Sequence, residues 1–223
     1  MVINVELYNN HIRQVCDLSL TVAKLEDIIC KYPYNGEKRV KDQLVENSQL
    51  PPIALSFYSY IYEHDTVPSP ETLIEQYLSQ SYFDVRVDGR VNVTYQGKTI
   101  DVLHEGLIAR IYRTYPSILR DFHFYLQCVE SGYFQAVKYS FQDDFCNGID
   151  IKVQYNNKWF NVALMQNTYR SLFFRNKKKN RHESREKEQP LINIELDQFK
   201  SKRCGDYNLY TPQHIKLLFD RIN

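Results

Sequence analysis

Asp150 is the residue from which chemistry is most readily built. It opens a stretch in which apolar and polar residues alternate, Gly148-Ile149-Asp150-Ile151-Lys152-Val153-Gln154-Tyr155. Two other oxygen-bearing side chains are within reach of the same neighbourhood. Asp121 stands beside the apolar stripe of an earlier helical stretch, and Gln166 follows the return strand. Further on, Ser171, Arg175, Lys178 and His182 are spaced by 4, 3 and 4 residues, which is one stripe on a helix. Arg170, Lys177, Lys179 and Arg181 belong to the same run. Positive charge this dense suits the oxygens of phosphates, although a solvated helix end or loop has the same composition.

Other constellations are weaker. The six His show no H-x-x-x-H spacing, and neither a phosphate-binding P-loop nor G-x-G-x-x-G occurs. Cys146 with His182 could be imagined as nucleophile and base, but no orienting third residue is evident. The five Cys are odd in number and lack C-x-x-C spacing, so they are expected to be buried or incidental thiols.

The elements that must position these residues can be read from periodicity. Val15, Leu18, Val22, Leu25, Ile28 and Ile29 predict a helix ending before Pro33. Val40, Leu44 and Val45 suggest a short helix, and 53–62 is helix or strand. Ser69-Pro70-Glu71 is a helix start, with Ser as N-cap and Pro at the first helical position. Val85, Val87, Val91, Val93 and Tyr95, with turns at Asp88-Gly89 and Gln96-Gly97, predict a β-meander. Two helices should follow, one over about 101–113 and one from Pro116 to a stop at Gly132.

Beyond Gly132 the spacing predicts strands over 133–141, 148–155 and 158–165, with Asn156-Asn157 as a two-residue turn. That turn faces Tyr155 with Lys158 and Asp150 with Ala163. It gathers Ile149, Ile151 and Val153 with Leu164, Val162 and Phe160 on one apolar face. Thr168 can cap a helix carrying the basic run, Leu191–Leu196 reads as a strand, and Thr211-Pro212 starts a terminal helix.

This order, helix, three strands, helix, strand, resembles the restriction-endonuclease-like fold of the PD-(D/E)XK nuclease superfamily over residues 116–197. In that family an Asp opens the second strand, and an acid and a Lys two residues apart sit on the third. Gly148-Ile149-Asp150-Ile151 looks like the opening. The resemblance implies a metal-dependent phosphodiesterase in which Asp150 binds Mg²⁺, a hard ion that prefers carboxylate oxygen and water. Ala163 and Met165 stand where the acid and Lys belong, and neither binds a metal or carries charge. Two readings follow. In one, Gln166 or Asp121 completes the metal site and Lys178 or Arg175 supplies the cation. In the other, the chain is an inactive relative that grips phosphates through Arg170, Arg175, Lys177, Lys178, Lys179 and Arg181. A structural reading makes Asp150 a surface residue paired with Lys152 or Lys158.

Composition bounds the rest. With 43% hydrophobic and 25% charged residues, a packed core is within reach, and mean hydropathy of −0.51 reflects abundant polar and Tyr residues. No run is long and apolar enough to span a membrane, and Met1–Leu7 lacks the pattern of a secretory signal, so the expected location is cytoplasmic. The net charge of +1 hides −7 in residues 1–150 and +8 in 151–223. Such halves fit an acidic body with a basic binding edge. The expected architecture is α+β, with a helical N-terminal region over 1–80 and a nuclease-like core over 81–223, a central mixed sheet flanked by helices. The expected partner is nucleic acid, DNA first. A docking module for a protein partner or a second copy of the chain is the remaining class.

Overall fold

One helix organises the fold, and its composition explains why. In the computed structural model, which describes residues 3–9, 12–34, 41–166 and 191–223, helix α5 spans His104–Glu130. Ile118, Leu119, Phe122, Phe124, Tyr125, Leu126 and Cys128 are all buried, so this half of α5 is covered on every side. A helix apolar all round belongs in a core. α5 runs straight through Pro116, where two helices were expected. Pro116 offers no N–H to the Tyr112 carbonyl, a loss on the order of 3 kcal/mol in a helix interior. Burial of Tyr112, Tyr115, Ile118 and Leu119 around it offsets that cost. The start is also later than expected, because 98–103 pairs as a strand.

Among the described residues, a hairpin, four helices and a meander lie before α5. Strands β1 (Ile3–Asn9) and β2 (Ile12–Leu18) pair antiparallel from Ile3 with Leu18 to Asn9 with Ile12. The helix expected from Val15 therefore begins only after Leu18. Thr21 caps it by accepting from the Lys24 N–H, and α1 covers Val22–Ile29. Helix α2 is Gln43–Asn47, and α3 is Ile53–His64, which settles 53–62 as helical. α4 is Pro70–Leu78, with Ser69 accepting from the Thr72 N–H as expected. Strands β3 (Phe83–Val85), β4 (Arg90–Tyr95) and β5 (Lys98–Leu103) form the expected meander, with Gly89, Gln96 and Gly97 at positive φ in its turns.

After α5, strands β6 (Ala136–Lys138), β7 (Ile151–Tyr155), β8 (Lys158–Gln166) and β9 (Leu191–Leu196) form a sheet in that order. β6, β7 and β8 are antiparallel, while β8 and β9 run parallel, so the sheet is mixed. The predicted strand over 133–141 shrinks to three residues. Between it and β7, Asp143–Asn147 winds into a π-type turn, closed by Gly148 in the left-handed region at φ +59°. Asp, Asn and Gly favour such local backbone closure over a ladder. The helix expected from Thr168 lies outside the described residues. A short hairpin, β10 (Lys202–Cys204) with β11 (Tyr207–Leu209), leads to helix α6 (Pro212–Ile222), capped by Thr211 as expected. α5 packs against α1, α3, α4, β6 and β11, and α6 packs against β9 and α5. The result is an α+β fold with a mixed sheet and flanking helices. Among the described residues no helix is long and apolar enough to cross a membrane.

Two features correct the sequence reading of the cysteines and histidines. Cys30, the C-cap of α1, and Cys204 in β10 form a disulfide with 5.3 Å between their Cα atoms. They are 174 residues apart, and spacing alone says nothing about a pairing that only folding creates. Cys128 is a buried thiol. Beside the disulfide, Glu26 of α1 joins His123 of α5, at 3.0 Å from Nε2, to Lys202 of β10, at 2.6 Å from Nζ.

Burial holds His123 below its ordinary 6.5 despite the Glu26 hydrogen bond, so it is neutral and donates Nε2–H to Glu26. Burial works to raise Glu26, but hydrogen bonds from Lys202 and His123 leave it below 4.5. His214, which caps α6 by accepting the Thr211 N–H on Nδ1, is also lowered by burial. The unfolded chain therefore takes up protons first at both imidazoles. Their contribution to stability is complete above 6.5 and is lost as pH falls from there through their folded values. Melting temperature should hold steady above neutrality and decline as the solution is acidified to about pH 5. Constancy across that range would show that neither imidazole is kept neutral by the fold.

Candidate active site

The site is built at one end of the sheet, where β7 begins and β8 ends. Asn156 and Asn157, at φ 48° and 59°, make the two-residue turn between these strands. The register then runs from Tyr155 with Lys158 to Ile151 with Val162, as the alternation predicts. Ile151, Val153 and Val162 are buried on the apolar face. The ladder ends at Ile151 and Val162, and Asp150 lies one residue ahead of β7. The two strands are fastened there twice. The Asp150 N–H donates to the Val162 carbonyl at 2.9 Å, and Asp150 Oδ2 accepts from the Leu164 N–H at 2.5 Å. Asp150 is thus a strand-end carboxylate oriented by backbone. The Lys152 ammonium sits on Asp143, at 2.7 Å.

Below this end lies a group of buried tyrosines. Tyr58 of α3 stacks on Tyr139 with ring centres 3.8 Å apart, and both are buried. The Tyr139 hydroxyl donates to Asp144 Oδ2 at 3.3 Å. Tyr210, also buried, donates to the Met165 carbonyl at 3.2 Å. Burial pushes all three phenols well above their ordinary acidity range, and nearby carboxylates push further. At Tyr58 those carboxylates are Asp144, Asp121 and Asp150; at Tyr210 they are Asp121 and Asp150. A neutral phenol can donate a hydrogen bond to a carboxylate without adding charge.

The charges of Asp121 of α5 and of Asp150 thus both reach the Tyr58 and Tyr210 hydroxyls. Asp144, which lies between the predicted strands 133–141 and 148–155, joins these two charges at Tyr58. The signal that could have found it was the Asp143-Asp144 pair ahead of Gly148-Ile149-Asp150, among turn-forming residues. Gln166 is the last residue of β8, and alternation sets it on the face of Val162 and Leu164, away from Ala163 and Met165. Arg170, Arg175, Lys177, Lys178, Lys179 and Arg181 lie outside the described residues.

Whether this set suits Mg²⁺ is a question of donor chemistry. Among the described residues no three His, Cys, Asp or Glu side chains converge as a metal-holding group. Mg²⁺ does not need such a cage; one or two carboxylates, waters and substrate phosphate oxygens serve it. Asp121 and Asp150 are donors of that kind.

The TaqI restriction endonuclease family model matches residues 20–204, which take in α1, α5, the π-type turn with Asp144, and every strand of the mixed sheet. No curated protein matches the chain, and no solved structure does. A match over so much of the chain shows that the protein belongs to the TaqI restriction endonuclease family, a family of nucleases whose substrate is DNA.

Proposed function

We propose that the chain is a Mg²⁺-dependent phosphodiesterase that cuts DNA, with Asp150 and Asp121 as its metal-binding carboxylates. The observation that carries this reading is the fastening of Asp150 to the β8 backbone through Leu164, with the charges of Asp150 and Asp121 both reaching the Tyr58 hydroxyl. Mg²⁺ in such a place supplies an activated water and neutralises charge that builds on the phosphate. The chain's own residues do the rest. The Leu164 N–H fixes one oxygen of Asp150, leaving the other carboxylate oxygen directed by that bond. Tyr58, Tyr139 and Tyr210 form a buried floor that keeps water from beneath the site. The positive run containing Arg170, Arg175, Lys177, Lys178, Lys179 and Arg181 supports backbone binding on the ground of its charge alone.

Ala163 and Met165 on β8, neither of which can bind a metal or carry charge, favour a second reading, a relative that binds DNA without cutting it. Cleavage assays on duplex DNA, single-stranded DNA and RNA, each with Mg²⁺, Mn²⁺ or chelator, separate the two. Metal-dependent cleavage of DNA is expected, with Mn²⁺ affinity weakened by Asp121→Asn as well as Asp150→Asn. DNA binding with no cleavage under any condition would leave the second reading standing.

A further inference from the structure

Helix α5 carries three arginines, and two have clear structural work. Arg110 donates to the carbonyls of Val45 and Glu46, at 2.7 and 2.8 Å. Arg113 is ion-paired with the Glu46 carboxylate. Both tie α5 to α2. Arg120 differs. It is 8% exposed, its Nε is buried without a hydrogen-bond partner, and Nη2 reaches Ser117 Oγ only at 3.4 Å. Among the described residues no carboxylate forms an ion pair with it. A buried cation without a counter-charge is costly, and proteins rarely keep one that has no anion to meet.

Its position says which anion. Arg120 precedes Asp121, and Phe124 lies one turn further along the same stripe of α5. The Phe124 ring is 4.8 Å from that of Tyr210, whose hydroxyl bonds the Met165 carbonyl at the end of β8. β8 itself brings no positive charge there, because Ala163 and Met165 are neutral. The charges of Asp121, Asp150 and Arg120 all reach the Tyr210 hydroxyl, the two carboxylates acting against its ionisation and the guanidinium for it.

We infer that Arg120 is the site's own cation, its guanidinium taking a non-bridging oxygen of the DNA phosphate that Asp121 and Asp150 face. The inference rests on the phosphodiester reading above. Two carboxylates alone repel a phosphate, and a planar guanidinium can answer that repulsion with paired N–H donors. An arginine held by α5 also places this charge on a rigid element.

The test measures DNA affinity in a protein that does not cut. Asp150→Asn is compared with Asp150→Asn/Arg120→Met on one duplex across a salt series. Arg120→Met should weaken binding about tenfold or more and lower the salt slope of log K by roughly 0.9, one phosphate contact. Melting temperature should stay level or rise, because an unpaired buried charge is exchanged for an apolar chain. Arg120→Lys, which keeps the charge, should recover part of the affinity. In the Asp150 background, cleavage by Arg120→Ala should be restored in part by added guanidinium ion. Unchanged affinity and salt slope in Arg120→Met would overturn the assignment. So would a melting temperature lowered by several degrees, with affinity equally low in Arg120→Lys, since that marks a packing role. If the wild type shows no metal-dependent cleavage, the phosphodiesterase reading fails, while the affinity comparison still decides whether Arg120 meets phosphate.

Discussion

Asp150→Asn should reduce DNA cleavage by on the order of 10²-fold or more while leaving the fold and DNA binding largely intact. The size follows from removing a ligand charge where metal activation of water supplies most of the rate. Preservation of the fold follows from geometry. The Leu164 N–H donates to a side-chain oxygen of residue 150, and the amide oxygen of Asn can accept the same bond. The backbone tie from residue 150 to the Val162 carbonyl does not involve the side chain at all. Asp143→Asn is the matched control. It removes a neighbouring carboxylate whose partner is Lys152, at the cost of a part-exposed ion pair, and should leave cleavage close to wild type. Equal cleavage by wild type and Asp150→Asn would place the activity elsewhere, in another site or a contaminant. Equal loss in Asp143→Asn and Asp150→Asn would show that the start of β7, rather than a ligand, is what matters.

Phe122→Ala should cost about 3–5 kcal/mol, the range for emptying a buried aromatic site. Phe122 is fully buried on α5, with its ring edge-on to Phe57 and Tyr58, both at 6.0 Å, and stacked with Tyr125 at 6.1 Å. Phe57 and Tyr58 come from a second helix, α3, so the cavity cannot close by a shift of one side chain. Against a usual stability of about 5–15 kcal/mol this is a large share. A chain of this size should lose roughly 10 °C or more in melting temperature. Phe199→Ala is the control, since that ring is 99% exposed and should leave the transition where it was. A loss of under about 1 kcal/mol at Phe122 would mean that α3 and α5 are far less tightly joined than their ring contacts indicate. Because Tyr58 sits between Phe122 and Tyr139, the same substitution should also loosen the floor of the site.

What could be read from the sequence was what neighbouring residues decide together. The Asn156-Asn157 turn and the alternation on either side of it determine the β7–β8 register, from Tyr155 with Lys158 to Ile151 with Val162. Ser69-Pro70 and Thr211-Pro212 start helices because the cap is made within one turn. The features that escaped depend on residues distant in the chain. Pro116 should end a helix on local grounds, and only the packing around Tyr112 and Leu119 reverses that. Val15 and Leu18 fit a helical stripe, yet the pairing of Ile3 with Leu18 draws them into a strand. Of the candidate site, Asp150 and Asp121 could be named as candidates on separate elements, but the burial of Tyr58 and Tyr210, whose hydroxyls both charges reach, is marked by no motif. Arg120 has an ordinary place in a helix until its burial is known.

The bond between Cys30 and Cys204 closes α2 to α5 and every strand of the mixed sheet into a covalent ring, with β1, β2, α1, β11 and α6 outside it. A single break of the backbone anywhere within that ring opens a circle and does not divide a line. The two ends it creates stay parts of one molecule for as long as the sulfurs remain joined. Asp121, Asp150 and Arg120 all lie inside the ring, so no one nick can separate the carboxylates from the cation.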